Sequence, residues 1–423
     1  MYKAIRNFLN KLKNKSDISA NKKKDISLQK NKTNMGYKFK QLFKENMEPN
    51  WDFIMKIREF AVLKDTKQSS VWHQEGDAFT HTKMVSENMY KWLTSHEIEK
   101  DDLYFLLMMS AAVCHDLGKG CATKWNEEKK DWECKRHGFH SARIIRTLFF
   151  TEDFGLRERV CYMARHHMTL HHIFDVEERT NKALIRMSMG LVKVSDMNIL
   201  QWCDSLGSKN EETPEYIDQK TKKIEDAARA LGCYDAPYSG FRNKWHMMEF
   251  FRRRDVVMPS DVEVPDESDD TKFRIYVMVG VPGSGKDYFI ENYDFGEPVV
   301  NLSRDIIRTE IGLKGDKPQG NKEQENEVTR IFDERMEQFC KEHKSFVINN
   351  TNMRKQYRDG YLDKCLKYFP EIIYVYCEAP SLKVNKERRQ SMMPVKVIDR
   401  MWNDMEFPEP VEYSKMIVRK QYE

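Results

Sequence analysis

The chain changes its hydrophobic period once. From about residue 50 to 232 the apolar positions follow helical spacing. "LLMMSAAVCHDLGKG" reads as a buried helix ending at glycines, and "TPEYIDQKTKKIEDAARALG" carries a start signal and a Gly stop. Strand signals are nearly absent there, so this stretch is expected to be all-α. From Phe273 onward, "FRIYVMVG", "PVVNLS", "SFVINN" and "EIIYVYCEA" are short apolar, β-branched or aromatic runs separated by helical segments. That alternation predicts a parallel sheet with crossover helices. Between the two regions "PSDVEVPDESDD" holds two prolines and six acidic residues without a base and reads as a solvated linker. The preceding "NKWHMMEFFRRRD" reads as a basic helix that fits either side. The expected organisation is an extension over 1–48, an all-α domain over 49–232, a connecting helix and acidic linker over 233–271, and an α/β domain over 272–423.

Composition refines this picture. A chain of 423 residues is long enough for two or three domains that need no covalent staple. Nine cysteines, an odd number with no C-x-x-C pair, point to free thiols in a reducing cytoplasm. Cys121, Cys134, His137 and His140 resemble a zinc knuckle only superficially, because the gap between the cysteines fits no common module. No stretch approaches eighteen consecutive apolar residues, and no membrane partner is expected. The net charge of +4 is uneven: residues 1 to 45 carry thirteen Lys or Arg against three acids. This polar, basic tail reads as a mobile extension, either a non-specific phosphate tether or simply solvated chain.

"GVPGSGKD" follows a strand-like run and opens a helix. In that context the amides of a glycine-rich turn and a helix N-terminus wrap phosphate oxygens. Gly280, Gly283, Ser284 and Gly285 form the turn, and Lys286 reaches the β- and γ-oxygens. Asp287 stands where such loops place Ser or Thr; it either supplies a hard anionic ligand to Mg²⁺ or only favours the positive end of its helix. After the second strand, "NLSRDIIR" puts Asp305 at the carboxyl edge of the sheet, where it could take a proton from an attacking hydroxyl, with Arg308 one turn on. Thr351 in "NNTN" lies at the same edge. "NKERRQSMMP" concentrates Lys386, Arg388 and Arg389 in a segment suited to a lid that neutralises phosphoryl charge. Together with "MPVKVIDRMW", these motifs resemble the kinase module of polynucleotide 5′-hydroxyl kinases over about residues 273 to 405. The resemblance implies Asp305 as general base, Arg308 and Thr351 as acceptor-binding residues, Arg388 as the lid arginine, and Mg²⁺ with ATP or GTP. Two positions depart from the family: Val384 replaces a lid Arg, and Asn350 replaces an Asp before the T-N pair.

Ten of the twelve histidines fall between His73 and His172. "WHQEGDAFTHT", "CHDLGK", "RHGFHSA", "ARHHM" and "KVSD" place His81, His115, Asp116, His137, His166, His167 and Asp196 in order. A vicinal His-Asp with a His upstream and an Asp downstream suits a divalent cation, which activates water for attack on phosphorus. This order resembles the HD phosphohydrolase superfamily across about residues 70 to 200. The resemblance implies His81, His115, Asp116 and Asp196 as cation ligands, Lys119 as a phosphate contact, and His137 and His166 as residues holding a second cation or the scissile phosphate. The choice between His166 and His167 stays open, and His140, His171 and His172 fit no motif position.

An all-α HD domain followed by an α/β P-loop kinase with a parallel sheet resembles the bacterial HD-Pnk family of end-healing enzymes over about residues 50 to 405. That resemblance implies removal of a 2′,3′-cyclic phosphate or a 2′- or 3′-phosphate by one domain and transfer of an NTP γ-phosphate to a 5′-hydroxyl by the other. The substrates would be broken RNA, tRNA among them, or DNA, sealed afterwards by a separate ligase. The competing readings are an HD nucleotidase fused to a nucleoside or metabolite kinase, and a nucleic-acid sensor with an inactive kinase module.

Overall fold

The computed structural model describes residues 36–270, 273–313, 321–379, 381–389 and 393–420. Most of the basic extension, residues 1–35, and part of the lid stretch, residues 390–392, lie outside them. The extension gives way to packed chain earlier than its expected end at 48. Phe39, Leu42, Phe43 and Met47 are buried in the helical core, and Phe39 stacks on Phe149 at 4.2 Å.

The helical domain is built from α1 (Ala78–Ser95), α2 (Leu103–Cys114), α3 (His137–Leu148), α4 (Phe154–His171), α5 (Glu177–Ser188), α6 (Val194–Gly207) and α7 (Pro214–Ala230), with short helical turns before α1. Asp77 caps α1 by accepting from the Phe79 and Thr80 amides. His81, Val85, Met89 and Leu93 then recur at a spacing of four, so one stripe faces inward. Helix α2 is apolar all round and buried over Leu107–Cys114, so it runs through the centre of the bundle. It delivers His115 and Asp116 at its C-terminus. The domain is not purely helical: β1 (Lys124–Asn126) and β2 (Asp131–Glu133) form an antiparallel hairpin. Three-residue strands of charged residues and Trp around "EEKK" carry no apolar alternation, so their periodicity is silent.

The C-terminal domain is a five-stranded parallel sheet in the order β4-β5-β3-β6-β7, where β3 is Arg274–Val279, β4 Val300–Leu302, β5 Phe346–Ile348, β6 Glu371–Glu378 and β7 Lys415–Lys420. Strands β3, β5 and β6 are buried on both faces, which is why they read as continuous apolar runs. Edge strand β7, "KMIVRK", is half exposed and lacked that signature. Between and around the strands lie α9 (Lys286–Asn292), α10 (Arg304–Glu310), α11 (Lys322–Lys341), α12 (Lys355–Cys365), α13 (Leu382–Arg389) and α14 (Val395–Asn403). The chain leaves central β3 for the neighbour of β5, and then fills the other side with β6. The crevice outside the carboxyl end of β3 is therefore the switch point where doubly wound sheets take ligands.

The connecting segment is more built-in than a solvated linker. Met247 and Met248, on α8 (Lys244–Arg252), join the sheet domain's core, while Phe250 packs with Ile185, Val256 and Val262. Its acidic Asp266 and Asp269 pair with Arg242. Among the described residues no helix is long and apolar enough to cross a membrane.

Candidate active sites

Two groups of side chains meet around Asp116 at the centre of the helical bundle. His81 from α1, His115 from the end of α2 and Asp204 from α6 form the first. Asp204 Oδ1 lies 2.9 Å from His81 Nε2 and 3.5 Å from His115 Nε2, and the two imidazole nitrogens are 3.4 Å apart. Asp116 with His137 and His167 forms the second, the two ring Nε2 atoms being 3.0 Å apart. Asp116 joins the groups: Oδ2 is 3.3 Å from His115 Nε2 and 3.5 Å from His81 Nε2, while Oδ1 is 3.4 Å from His137 Nε2 and 3.6 Å from His167 Nε2.

The outer nitrogens of the rings are already committed. His115 Nδ1 meets the Ala112 carbonyl at 2.9 Å, His137 Nδ1 that of Cys134 at 2.8 Å and His167 Nδ1 that of Ala164 at 2.8 Å. His81 Nδ1 lies 3.2 Å from Gly207 O and 3.3 Å from Glu75 Oε1. Because a carbonyl only accepts, each Nδ1 carries the proton, which leaves Nε2 as the inward donor atom. His171, outside every motif, holds the second oxygen of Asp204 at 3.1 Å. Arg136, in the left-handed region at φ 60°, turns the chain so that His137 opens α3 toward the cluster.

The electrostatics fit a divalent cation. Both buried Asp116 oxygens lack a well-directed hydrogen bond, although Lys119 Nζ forms an ion pair with Oδ2 at 2.7 Å. Burial opposes charge on His115, but Asp116 and Asp204 outweigh it and raise its pKa to about 10. The two carboxylates, themselves held well below the usual carboxylate range, thus keep a proton on His115 where a divalent cation could stand. Burial, aided by His137, instead holds His167 neutral, with its pKa lowered to about 3. The cluster opens into a cavity of about 730 Å³ lined by Asp116, Lys119, His137, His167 and Asp204.

Two expected residues lie elsewhere. Asp196, named as a cation ligand, sits in the first turn of α6, where it accepts from the Lys193 amide at 3.1 Å and from the Tyr104 hydroxyl at 3.1 Å. Asp204, eight residues on and on the inward side of that helix, occupies the position instead. His166 points away from the cluster, with its ring against Tyr162 and Nε2 3.8 Å from Glu409 of the sheet domain; its neighbour His167 is the one that converges. Adjacent residues on a helix differ by about 100° in direction, so only one of the two can face the site.

The second site lies at the carboxyl end of β3. Gly283 and Gly285 adopt φ of 79° and 92°, the left-handed values a Cβ disfavours, and so turn the chain into α9. Lys286 Nζ donates to the carbonyls of Gly280 and Val281 at 3.0 and 3.2 Å, and burial lowers its pKa. The lid helix α13 closes on the turn: Asn385 donates to Pro282 O at 3.2 Å and Arg388 to Gly283 O at 3.0 Å. Asp287 accepts from Asn349 Nδ2 at 2.9 Å and lies 3.6 Å from Arg389, so β5 and the lid both reach it. Arg419 and Lys420 of β7, unread in the sequence, line the same 510 Å³ pocket as Gly283, Lys286 and Arg388. The buried Ser284 hydroxyl has no partner among the described residues.

Asp305 opens α10 behind the Ser303 cap and is 63% exposed at the mouth of this crevice. Arg308 meets it at 2.6 Å and is fixed from behind by Glu325, which accepts from Nε at 2.8 Å and from Nη2 at 2.9 Å. Glu325, on α11, is a residue the motifs did not reveal. Thr351 ties its strand end to the phosphate loop through its carbonyl, which accepts from Gly280 N at 3.1 Å. Asn350 Oδ1 accepts from the Arg304 amide at 3.2 Å and so helps to start α10.

Comparison with known proteins agrees with this division. The pattern of the HD domain family matches residues 78–196, and that of an AAA domain family matches residues 275–408. No curated protein matches the chain. A crystal structure from Chloroflexus aurantiacus, of a protein assigned as a kinase by inference, is 11% identical over 36% of this chain and 86% of its own, with a TM-score of 0.29, too low to carry an argument. The chain is thus an HD phosphohydrolase domain fused to a P-loop, kinase-like AAA domain.

Proposed function

We propose that the chain is a bifunctional nucleic-acid end-healing enzyme. Its HD domain hydrolyses 2′,3′-cyclic phosphate or 2′- or 3′-phosphate ends, and its C-terminal domain transfers the γ-phosphate of ATP or GTP to a 5′-hydroxyl, so that a separate ligase can seal the break. The observation that carries the reading is the pairing in one chain of an Asp116-joined His/Asp cluster with a phosphate loop beside the exposed Asp305–Arg308 pair.

In the HD site, His81, His115, Asp116 and Asp204, with His137 and His167 on the other side of Asp116, would hold the divalent cation or cations. A bound cation supplies Lewis acidity and an acidified water. Lys119 sits at the cavity wall, held by Gln68 Oε1 at 2.7 Å, and its ammonium offers charge to a phosphate oxygen. In the kinase site, the loop amides and Lys286 cradle the triphosphate. Asp305 takes the proton of the attacking 5′-hydroxyl as its oxygen bonds to the γ-phosphorus and the bond to the nucleoside diphosphate breaks. Arg308 orients Asp305 and offers charge to the phosphate of the acceptor strand. Arg388, already on the loop, neutralises the transferring group, and Asp287 would offer a carboxylate to the Mg²⁺ that accompanies the triphosphate. The exposure of Asp305 favours a polymeric acceptor over a small metabolite enclosed in a pocket.

Incubation with γ-labelled ATP and either a 5′-hydroxyl oligonucleotide or free nucleosides tests the kinase half, and label on nucleosides alone refutes it. RNA bearing a 2′,3′-cyclic phosphate, offered with Mn²⁺, Co²⁺, Ni²⁺ or Fe²⁺, tests the other half, and persistence of the cyclic end with every metal refutes it.

A further inference from the structure

The rim of the HD cavity holds an aromatic feature that phosphate chemistry alone does not require. Trp72 lines the cavity, is 58% exposed and has no ring partner among the described residues. An indole left largely in water forgoes the burial that ordinarily stabilises so large an apolar surface. Its turn is nevertheless well tied. His73 N donates to Ser69 O at 2.9 Å, closing the turn on itself. Asp131 of the hairpin accepts from the Ser69 hydroxyl and from the Ser70 amide. On the other flank Gln74 N donates to Lys209 O at 2.8 Å, just beyond α6. Trp132, from the hairpin, lines the same cavity and is braced edge-on by Trp125 at 5.5 Å.

The position of Trp72 gives this indole a chemical context. The next residue, His73, lies 3.4 Å from Lys119 Nζ, and its ring sits 4.8 Å from that of His81. A phosphate engaged by Lys119 would sit in the cavity that Trp72 also lines, which brings its sugar and base within the same walls. The rim also carries Lys67 and Lys220, whereas its Lys129 and Lys130 pair with Glu133 and Glu127 of the hairpin. An exposed, pre-positioned ring beside cationic side chains is the arrangement that binds single-stranded nucleic acid by stacking, since every base has a π-face.

We propose that Trp72 is a specificity residue that stacks on the base of the terminal, phosphate-bearing nucleotide and makes the HD cavity prefer nucleotide ends over base-free phosphoesters. This rests on the reading of the HD site as a phosphohydrolase of nucleic-acid ends. The test compares kcat/KM for a nucleoside 2′,3′-cyclic phosphate with that for methyl riboside 2,3-cyclic phosphate, which has the same reacting group and no base. In Trp72→Ala the ratio of the two is expected to fall about tenfold or more, through KM. Trp72→Leu, which keeps apolar bulk without a π-face, should fall with it, whereas Trp72→Phe should retain most of the preference. A ratio that stays at the wild-type value in the Ala and Leu variants, with kinase activity showing that they are folded, overturns the proposal and leaves the phosphohydrolase reading standing. A wild type that hydrolyses neither ester with any metal overturns both.

Discussion

Arg157 Nη2 lies 2.9 Å from Glu378 Oε1, a fully buried ion pair that crosses from the helical domain to the sheet domain. Arg157 stands in the first turn of α4, whose other end carries His167, and Glu378 ends β6, immediately before the chain that leads to the lid helix. The pair is embedded in a network: Glu158 bridges Arg157 and Arg146, and the Tyr376 hydroxyl donates to Glu378 at 3.1 Å. The two catalytic units are thus joined through their cores and not by a tether alone.

Removing one partner strands a charge in a dry junction. Arg157→Met is expected to lower stability by roughly 3–5 kcal/mol, whereas Arg157→Met combined with Glu378→Leu should cost clearly less than the sum of the single changes. Urea denaturation of the four proteins measures the cycle. Additivity would show that Arg157 and Glu378 are not energetically coupled.

The converging carboxylate of the HD site distinguishes the structure from the motif. Asp204→Ala and His167→Ala are expected to reduce phosphohydrolysis about a hundredfold or more and to weaken Mn²⁺ binding by calorimetry, with kinase activity intact. Asp196→Ala and His166→Ala should retain hydrolysis within a few-fold. Asp196→Ala should cost only about 1 kcal/mol, for a lost hydrogen-bond acceptor at the helix start. Loss of metal binding in Asp196→Ala would reverse the assignment.

These two residues also mark where sequence reasoning stops. The pair His115 and Asp116 was legible because it ends an apolar helix, a pattern local to fifteen residues. The last converging carboxylate was not, since α6 carries two aspartates eight residues apart and both are buried. Asp196 fits a helix start as well as it fits a ligand, and only the packing of α1 against α6 shows that Asp204 meets His81. The phosphate loop was readable for the same reason as His115 and Asp116: its strand, glycines and helix are contiguous. Glu325, Arg419, Lys420 and His171 were silent because each reaches its site from a distant element with no motif around it.

On the kinase side, Asp305→Asn is expected to lower kcat about 10²–10⁴-fold with little change in the KM for ATP, because an amide cannot take the hydroxyl's proton. Glu325→Gln weakens the grip on Arg308, so its effect should appear as a raised KM for the 5′-hydroxyl strand. Steady-state kinetics with each substrate varied separates the two. An Asp305→Asn enzyme as fast as wild type would remove Asp305 from proton transfer.

At the junction, Glu409 gives the fold a pH dependence. Burial opposes its ionisation, but Arg186 at 2.7 Å outweighs it, and His166, Arg165 and Lys355 also line this pocket; the net effect lowers its pKa to about 2. A carboxyl that ionises more readily folded than unfolded stabilises fully above its unfolded pKa of about 4.5, and this stabilisation is lost as pH falls from there toward about 2. Burial also lowers the pKa of His166, to about 4, so its neutral ring destabilises the fold on acidification over the higher window between about 6.5 and 4. Glu409→Gln should therefore be less stable than wild type at pH 7 by on the order of 2–3 kcal/mol, and the gap should narrow between pH 4.5 and 3. His166→Phe should flatten the stability curve between pH 6.5 and 4.5 and, because the charged ring helps to lower the Glu409 pKa, narrow the lower window while Arg186 keeps most of it. Urea midpoints taken every half pH unit resolve the two windows, and a Glu409→Gln gap that is constant down to pH 3 would mean that the Arg186 pairing does not control the titration.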